Sequence, residues 1–295
     1  MDITLLGTSG SSPTKERMMP SVAITYEGET LLFDCGEGTQ MQMLKYGINA
    51  SRIKAIFITH AHGDHIIGIA GLVRSMALNG RSEALSIFIP KGYERVIQGL
   101  LTFDKAIICY RINVIGTKPG KVYSGKGFHV RAFRLNHTIS TLGYALNEED
   151  RLRFDKDKTK KLGMKGTMFS EMLSKKKLRI KNKVIALSSI TSIKKGRKVV
   201  YASDTRPSTS TVSAAKDADL LIHESSYSDQ QDNLAKERKH STASEAARIA
   251  YRSKAKGLVL THFSARYSDI SPLLAEARKI FSATTAGSDG YKIKL

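Results

Sequence analysis

The stretch Thr59-His60-Ala61-His62-Gly63-Asp64-His65 constrains this chain more than any other. It sets three histidines and an aspartate in the pattern H-x-H-x-D-H. Before it, Lys54-Ala55-Ile56-Phe57-Ile58 reads as a short buried strand; after it, Ile66 to Leu78 reads as a helix. The cluster therefore falls on a strand-to-helix turn, where closely spaced side chains can converge on one point. Two histidines two residues apart on such a turn can bind one ion from adjacent directions. Asp64 and His65, at the start of the helix, suit a second ion. Imidazole nitrogen with carboxylate oxygen suits zinc, or manganese and iron. Cys35 and Cys109 stand outside the pattern, so a thiolate zinc site is not supported.

The same positional rule recurs downstream. His137 follows the strand-like run Phe128 to Leu135, Asp204 follows Lys198 to Ala202, and His262 follows Gly257 to Thr261. Each alone is a common turn or cap residue. Together with His60 they place metal-capable side chains at four strand ends, and strand ends can meet along one edge of a pair of sheets. Short strands come early, among them a hairpin over Val22–Tyr26 and Thr30–Asp34; strands then alternate with helices expected at Thr39–Tyr46, Thr242–Ser253 and Ser271–Phe281. The order predicts a layered α/β protein with two sheets inside and helices outside.

Charge selects the class of partner. The 295 residues carry 47 Lys and Arg against 27 Asp and Glu, a net charge of +20, which points to a polyanion and foremost to nucleic acid. With no Trp and 7% aromatic residues, phosphate contacts are expected to outweigh base stacking. Two cysteines cannot build a disulfide framework, and neither a secretory leader nor a membrane-length apolar run is apparent, so a cytoplasmic protein is expected. The stretch 147–182 has a different texture. It holds 12 Lys or Arg against 6 Asp or Glu with weak apolar periodicity, and reads as an inserted basic segment, partly helical or mobile.

The Thr59–His65 cluster resembles the metal motif of the metallo-β-lactamase fold superfamily. Further stretches narrow the resemblance to ribonuclease Z, the tRNA 3′-processing endonucleases: Leu6 to Pro13, Leu32-Phe33-Asp34-Cys35-Gly36-Glu37-Gly38-Thr39-Gln40, Ser203-Asp204-Thr205-Arg206-Pro207, His223-Glu224 and His240-Ser241-Thr242. The similarity spans nearly the whole chain in the expected order. It implies a four-layer αββα sandwich over 1–295 as a single domain, with 147–182 as an inserted flexible arm, the exosite that grips the tRNA body. It also implies two zinc ions per subunit, manganese or another divalent metal being possible, a precursor tRNA substrate, and a homodimer.

By this resemblance His60, His62 and His137 would hold one ion, Asp64, His65 and His262 the other, and Asp204 would bridge them. Asp64 would also accept a proton from the attacking water. His240 matches the family's general acid and Glu224 its carboxylate partner, consistent with an alkoxide leaving group that needs a proton. The products would be a tRNA 3′-hydroxyl and a 5′-phosphorylated trailer. Pro13-Thr14-Lys15-Glu16-Arg17-Met18 resembles the family's P-x-K-x-R-N loop, with Met18 where the pattern has Asn, so one polar contact is missing. Lys15, Arg17 and Arg206 are the expected phosphate contacts, with Ser208 to Ser210 as added neutral donors. His223 reads as structural or supporting, and His129 as ordinary. The competing reading is another hydrolase of the same fold acting on a small phosphodiester or thioester; the charge and the basic insert argue against a small neutral substrate.

Overall fold

The computed structural model describes residues 1–102, 107–180 and 182–295. The chain divides into two compact units, Met1–Asn147 with Lys198–Leu295, and Glu148–Arg197. Among the described residues no helix is long and apolar enough to cross a membrane.

The first unit is built on two seven-stranded sheets. One orders Lys292–Lys294, Asp2–Gly7, Ser21–Tyr26, Glu29–Phe33, Ile53–Phe57, Leu85–Pro90 and Ile112–Thr117. The other orders Thr284–Ala286, Leu258–Thr261, Leu220–Glu224, Lys198–Ala202, Thr141–Glu148, Phe128–Leu135 and Gly120–Gly125. Alternation along each strand assigns its two faces. In Ile53–Phe57, Ala55 and Phe57 point into the core between the sheets and Ile56 packs outward under helices; Ile53 joins Ile56 on the outer face because the pairing register shifts between Ile53 and Ala55. Both faces are apolar, as expected where parallel strands are covered on both sides. Phe57 stacks between Phe33 and Phe88 at centroid distances of 5.1 and 4.9 Å, a ladder across three parallel strands just beneath His60. Each such pair is worth about 0.5–1.5 kcal/mol beyond area burial.

Helices Thr39–Tyr46, Gly68–Leu78 and Glu94–Leu101 cover the outer face of the first sheet. Ala243–Ser253 and Ser271–Ile280 cover that of the second. The result is the four-layer αββα sandwich. Ala243–Ser253 begins with a capping box in which Thr242 and Glu245 satisfy each other's backbone. Strands Gly120–Gly125, Thr284–Ala286 and Lys292–Lys294 were not apparent in the sequence, being short or largely solvent-facing.

Strand direction positions the site. Glu29–Phe33, Ile53–Phe57 and Leu85–Pro90 run parallel, as do Lys198–Ala202, Leu220–Glu224 and Leu258–Thr261. Their carboxyl ends carry Asp34, His60, Asp204, Glu224 and His262 to one edge of the unit. Thr141–Glu148 pairs antiparallel with Lys198–Ala202, matching Asn147 with Lys198 at the opposite end of that sheet.

The second unit is more ordered than its composition predicts and ends later. It reaches Arg197 rather than 182, because Thr191–Lys194 pairs with Arg151–Phe154 and Lys183–Ala186 with Lys177–Ile180. Two helices, Lys156–Lys161 and Thr167–Lys175, complete it; the first is capped by the Asp155 carboxylate. Met164, Met172, Ile180, Leu187 and Ile190 form a small core with Phe154 and Phe169 beside them. Their uneven spacing hid this core from a periodicity count. Lys181, within the expected arm, lies outside the described residues.

Candidate metal centre

His60 stands three residues past the end of its strand, Ile53–Phe57, and His62 precedes a short helical turn, Gly63–Ile66, that carries Asp64 and His65. The helix expected from Ile66 thus starts as a separate turn before Gly68–Leu78. Gly68 lets the start of the longer helix press against the 35–36 backbone: a Cβ there would lie 2.0 Å from the Gly36 carbonyl oxygen. His60 Nε2 lies 2.9 Å from His62 Nδ1.

Asp204 stands between two groups of histidines. Its Oδ2 lies 3.6 Å from His60 Nε2 and 3.7 Å from His137 Nε2. Its Oδ1 lies 3.4 Å from His65 Nε2 and 3.0 Å from His262 Nε2. Asp64 Oδ2 closes the second group, 3.5 Å from His65 Nε2 and 3.8 Å from His262 Nε2. The ligand-capable atoms of His60, His62, His137 and Asp204 lie within 4.8 Å of one another, as do those of Asp64, His65 and His262.

Four of the rings are held from the far side. Asp34 Oδ2 is 2.9 Å from His65 Nδ1, the Lys239 carbonyl 3.0 Å from His137 Nδ1, Ser226 Oγ 2.9 Å from His262 Nδ1, and Thr59 Oγ1 3.0 Å from His60 Nδ1. These bonds turn the Nε2 atoms inward. Those of His65, His137 and His262 are buried with no hydrogen-bond partner among the described residues. Buried polar atoms are rarely left unpaired, and three aimed at shared carboxylates fit a cation. Asp34, Lys239 and His262 take positive φ of 56°, 56° and 57°, local strain gathered around the cluster. Gly10 sits so close that a Cβ there would fall 2.5 Å from the His262 ring.

The electrostatics agree. Burial, with neighbouring imidazoles, holds His60 well below the usual histidine range, the neutral form a ligand needs. His137 is lowered chiefly by burial. For His65 burial is outweighed by Asp204, Asp34 and Asp64, so its proton is held well above the ordinary value. Asp204 is lowered well below the carboxylate range: burial opposes this, but His262, His65 and His60 prevail. A divalent cation would answer the same negative field as those protons.

Beside this cluster, His240 Nδ1 lies 2.9 Å from Oε1 of the wholly buried Glu224, and 3.9 Å from Asp204 Oδ2. Burial alone would lower its pKa, but Glu224, by charge and hydrogen bond, and Asp204 lift it to about 9. Glu224 also accepts from the backbone N–H groups of Thr205 and Ser226.

The substrate contacts expected from sequence divide. Lys15 is exposed, and Arg17 lays its guanidinium over the Phe263 ring at 5.3 Å. Their loop adjoins the cluster: the Ser11 N–H donates to Asp64 Oδ2 at 2.9 Å, and Phe263 follows His262. Arg206 is turned into the protein. Its guanidinium pairs through both amino groups with Glu245 and donates to the His240 carbonyl at 2.6 Å, so both amino groups are engaged within the protein. Ser208 and Ser210 are likewise spent, Ser208 capping the helix Thr209–Ala214 and Ser210 bonding the Arg134 carbonyl. His223 is wholly buried on its strand with Nδ1 toward the Glu224 carbonyl. Asp34 is the residue that sequence reading left without a role. Its carboxylate accepts from the Thr59 N–H and hydroxyl and from the Tyr201 hydroxyl, and lies against His65. The signal was available, since Asp34 ends a strand just as His60 does.

A family model described as Anti-Pycsar protein Apyc1 matches residues 1–178, more than half of the chain but short of Asp204, His240 and His262. Similarity to curated relatives runs end to end. The ribonuclease Z of Archaeoglobus fulgidus is 41% identical over 99% of this chain and 97% of its own length; that of Gemmatimonas aurantiaca is 39% identical over 99% and 95%. Among solved structures, human tRNase Z, short form, superposes with a TM-score of 0.70 at 29% identity, covering 100% of this chain and 99% of that one. The N-terminal match takes in six strands of the first sheet and the H-x-H-x-D-H turn, whereas the similarity to the full-length relatives also spans Asp204, Glu224, His240 and His262. The chain belongs to the ribonuclease Z family, endoribonucleases of the metallo-β-lactamase fold.

Proposed function

We propose that this protein removes the 3′ trailer of precursor tRNA by two-metal phosphodiester hydrolysis, leaving a tRNA 3′-hydroxyl and a 5′-phosphorylated trailer. The observation that carries the reading is Asp204, whose two oxygens face two separate histidine groups. His60, His62 and His137 would hold one ion and Asp64, His65 and His262 the other, with Asp204 shared. Zinc suits this nitrogen-rich set, and manganese remains open to it. When bound, two cations supply Lewis-acid neutralisation at the scissile phosphate.

The protein's own groups do the rest. His240, kept protonated by Glu224, gives its proton to the departing 3′-oxygen of the tRNA. A ring with pKa about 9 is charged at neutral pH and still a competent donor. Asp64 accepts the proton of the attacking water; the Ser11 N–H on its Oδ2 fixes its orientation. Lys15 and Arg17, on the loop that supplies Ser11, hold the phosphates next to the cut. Arg206 holds the His240 backbone in place instead of touching RNA.

The second unit, with its excess of Lys and Arg, is the exosite for the tRNA body. It enters and leaves the first unit at Asn147 and Lys198, at the sheet end remote from Asp204. By its likeness to the family the protein acts as a homodimer in which each subunit's arm serves its partner's site. Such an enzyme works in the cytoplasm. The test is incubation with a precursor tRNA and with a model phosphodiester, each with zinc or manganese and with chelator. Metal-dependent trailer release supports the reading; cleavage of the small ester alone would move the protein to a small-substrate hydrolase.

A further inference from the structure

Three adjoining hollows line one side of the first unit, and among the described residues none has an Asp or Glu in its lining. The first, about 580 Å³, is lined by Lys91, Lys118, Arg134, Ser140 and Thr141. A second, about 480 Å³, shares Lys91 and Lys118 and adds Lys121. A third, about 610 Å³, shares Arg134 and adds Arg131. Lys91, Lys118, Lys121, Arg131 and Arg134 are exposed, and among the described residues none of them is in an ion pair. Lys198 also borders the third hollow, but its ammonium donates to the Lys216 carbonyl at 2.6 Å. Five free cations in a row without one carboxylate, in a chain holding 27, form a binding surface for a polyanion.

The groove is tied to the site by sequence and by strand ends. Lys91 follows Leu85–Pro90, the strand beside the His60 strand, and Lys118 follows Ile112–Thr117, the next strand out; both run parallel to it, so the two cations lie at the same carboxyl-end edge. Arg134 lies three residues before His137, and the Leu142 N–H donates to the carbonyl of Thr59, next to His60. The second sheet orders the Glu224 strand, the Asp204 strand, the strand starting at Thr141, the His137 strand and Gly120–Gly125. His240 with Glu224 therefore lies on one side of Asp204 and the groove on the other.

We infer that this groove is a single-strand subsite that holds the phosphates of the RNA trailer. The assignment rests on the function proposed above. If His240 protonates the tRNA 3′-oxygen, the tRNA lies toward His240, and the chain beyond the scissile phosphate leaves on the opposite side, where the groove begins. No aromatic ring lines the first hollow, so the contacts are to backbone and hydroxyl groups and are indifferent to sequence.

The experiment uses the full-length chain and a Lys91→Ala/Lys118→Ala/Arg134→Ala variant, with two precursors of one tRNA, bearing either a single-nucleotide or a long unstructured trailer. The variant should raise KM roughly tenfold for the long trailer, leave kcat unchanged, and leave the short-trailer KM unchanged. The slope of log KM against log salt should fall by about 2 for the long trailer alone, three single-strand phosphate contacts being lost. Binding of a 5′-phosphorylated single-stranded oligoribonucleotide, read by fluorescence anisotropy, should weaken in parallel, and a Lys91→Arg/Lys118→Arg/Arg134→Lys variant should restore it. An equal KM rise on both precursors would assign the groove to the tRNA body and overturn the inference, as would no change on either. If the unaltered chain cuts neither precursor, the function proposed above fails; oligonucleotide binding that the variant leaves intact would sink the groove on its own.

Discussion

Glu224 Oε1 lies 2.9 Å from His240 Nδ1, and Glu224 has no solvent exposure. A buried carboxylate against an imidazole does two things: it fixes the ring and it holds the proton. Glu224→Gln keeps the shape and removes the charge. The alkaline fall in kcat, set by loss of the His240 proton near pH 9 in the unaltered protein, should move to lower pH. The sign for stability is the same. The folded value lies above the ordinary value of 6.5, so the contribution is complete below about pH 6.5 and fades as pH rises through about 9. A pH–rate profile with an unmoved alkaline limb would remove His240 as the acid.

Asp34 holds the ring of His65 and gathers Thr59 and Tyr201. Asp34→Ala should weaken metal affinity roughly 10–100-fold, as loss of a carboxylate behind a ligating histidine does. It should also cost about 2–4 kcal/mol of stability, since buried donors lose their acceptor. Chelator competition and urea melts read the two effects separately, and unchanged affinity would detach Asp34 from the metal centre.

Arg206 spends its donors on Glu245 and the His240 carbonyl. Arg206→Ala should therefore lower kcat, roughly tenfold or more, with little change in KM for precursor tRNA or in its salt slope. A raised KM with a shallower salt slope would return Arg206 to the role of a phosphate contact.

Metal should stabilise as well as activate. The Nε2 atoms of His65, His137 and His262, unpartnered among the described residues, gain a cation to coordinate when it binds. At a free metal concentration about 100-fold above Kd the gain is about 2.7 kcal/mol, or roughly 5–10 °C in Tm. Differential scanning calorimetry with zinc and with chelator measures it. His62→Ala should abolish both the shift and cleavage while sparing tRNA binding.

Asn147 and Lys198 are matched across adjacent antiparallel strands, so an Asn-Gly turn can replace residues 148–197 without breaking the sheet. The shortened chain should still fold, by circular dichroism, and hydrolyse a model phosphodiester, but bind precursor tRNA weakly. Loss of both activities in a folded product would make the second unit structural.

What the sequence determined is local. An apolar strand followed at once by a ligand type places that ligand at a strand end, and this placed His60, His137, Asp204 and His262 along one edge before any sheet was known. The capping pattern at Thr242 and Glu245 marked a helix start for the same reason, because both partners lie within one turn. What only the tertiary structure decided depends on partners far apart in the chain. Asp34 meets His65 and Tyr201, 31 and 167 positions away, once the two sheets face each other. Arg206 reads as a free cation in sequence, and Glu245, 39 positions on, captures it through helix packing. The basic insert gains its core from apolar residues at irregular spacing, which no period detects. Spacing along the chain fixes which atoms end an element; which atoms then satisfy one another is set by burial, where an unpaired charge or donor is too costly to leave alone.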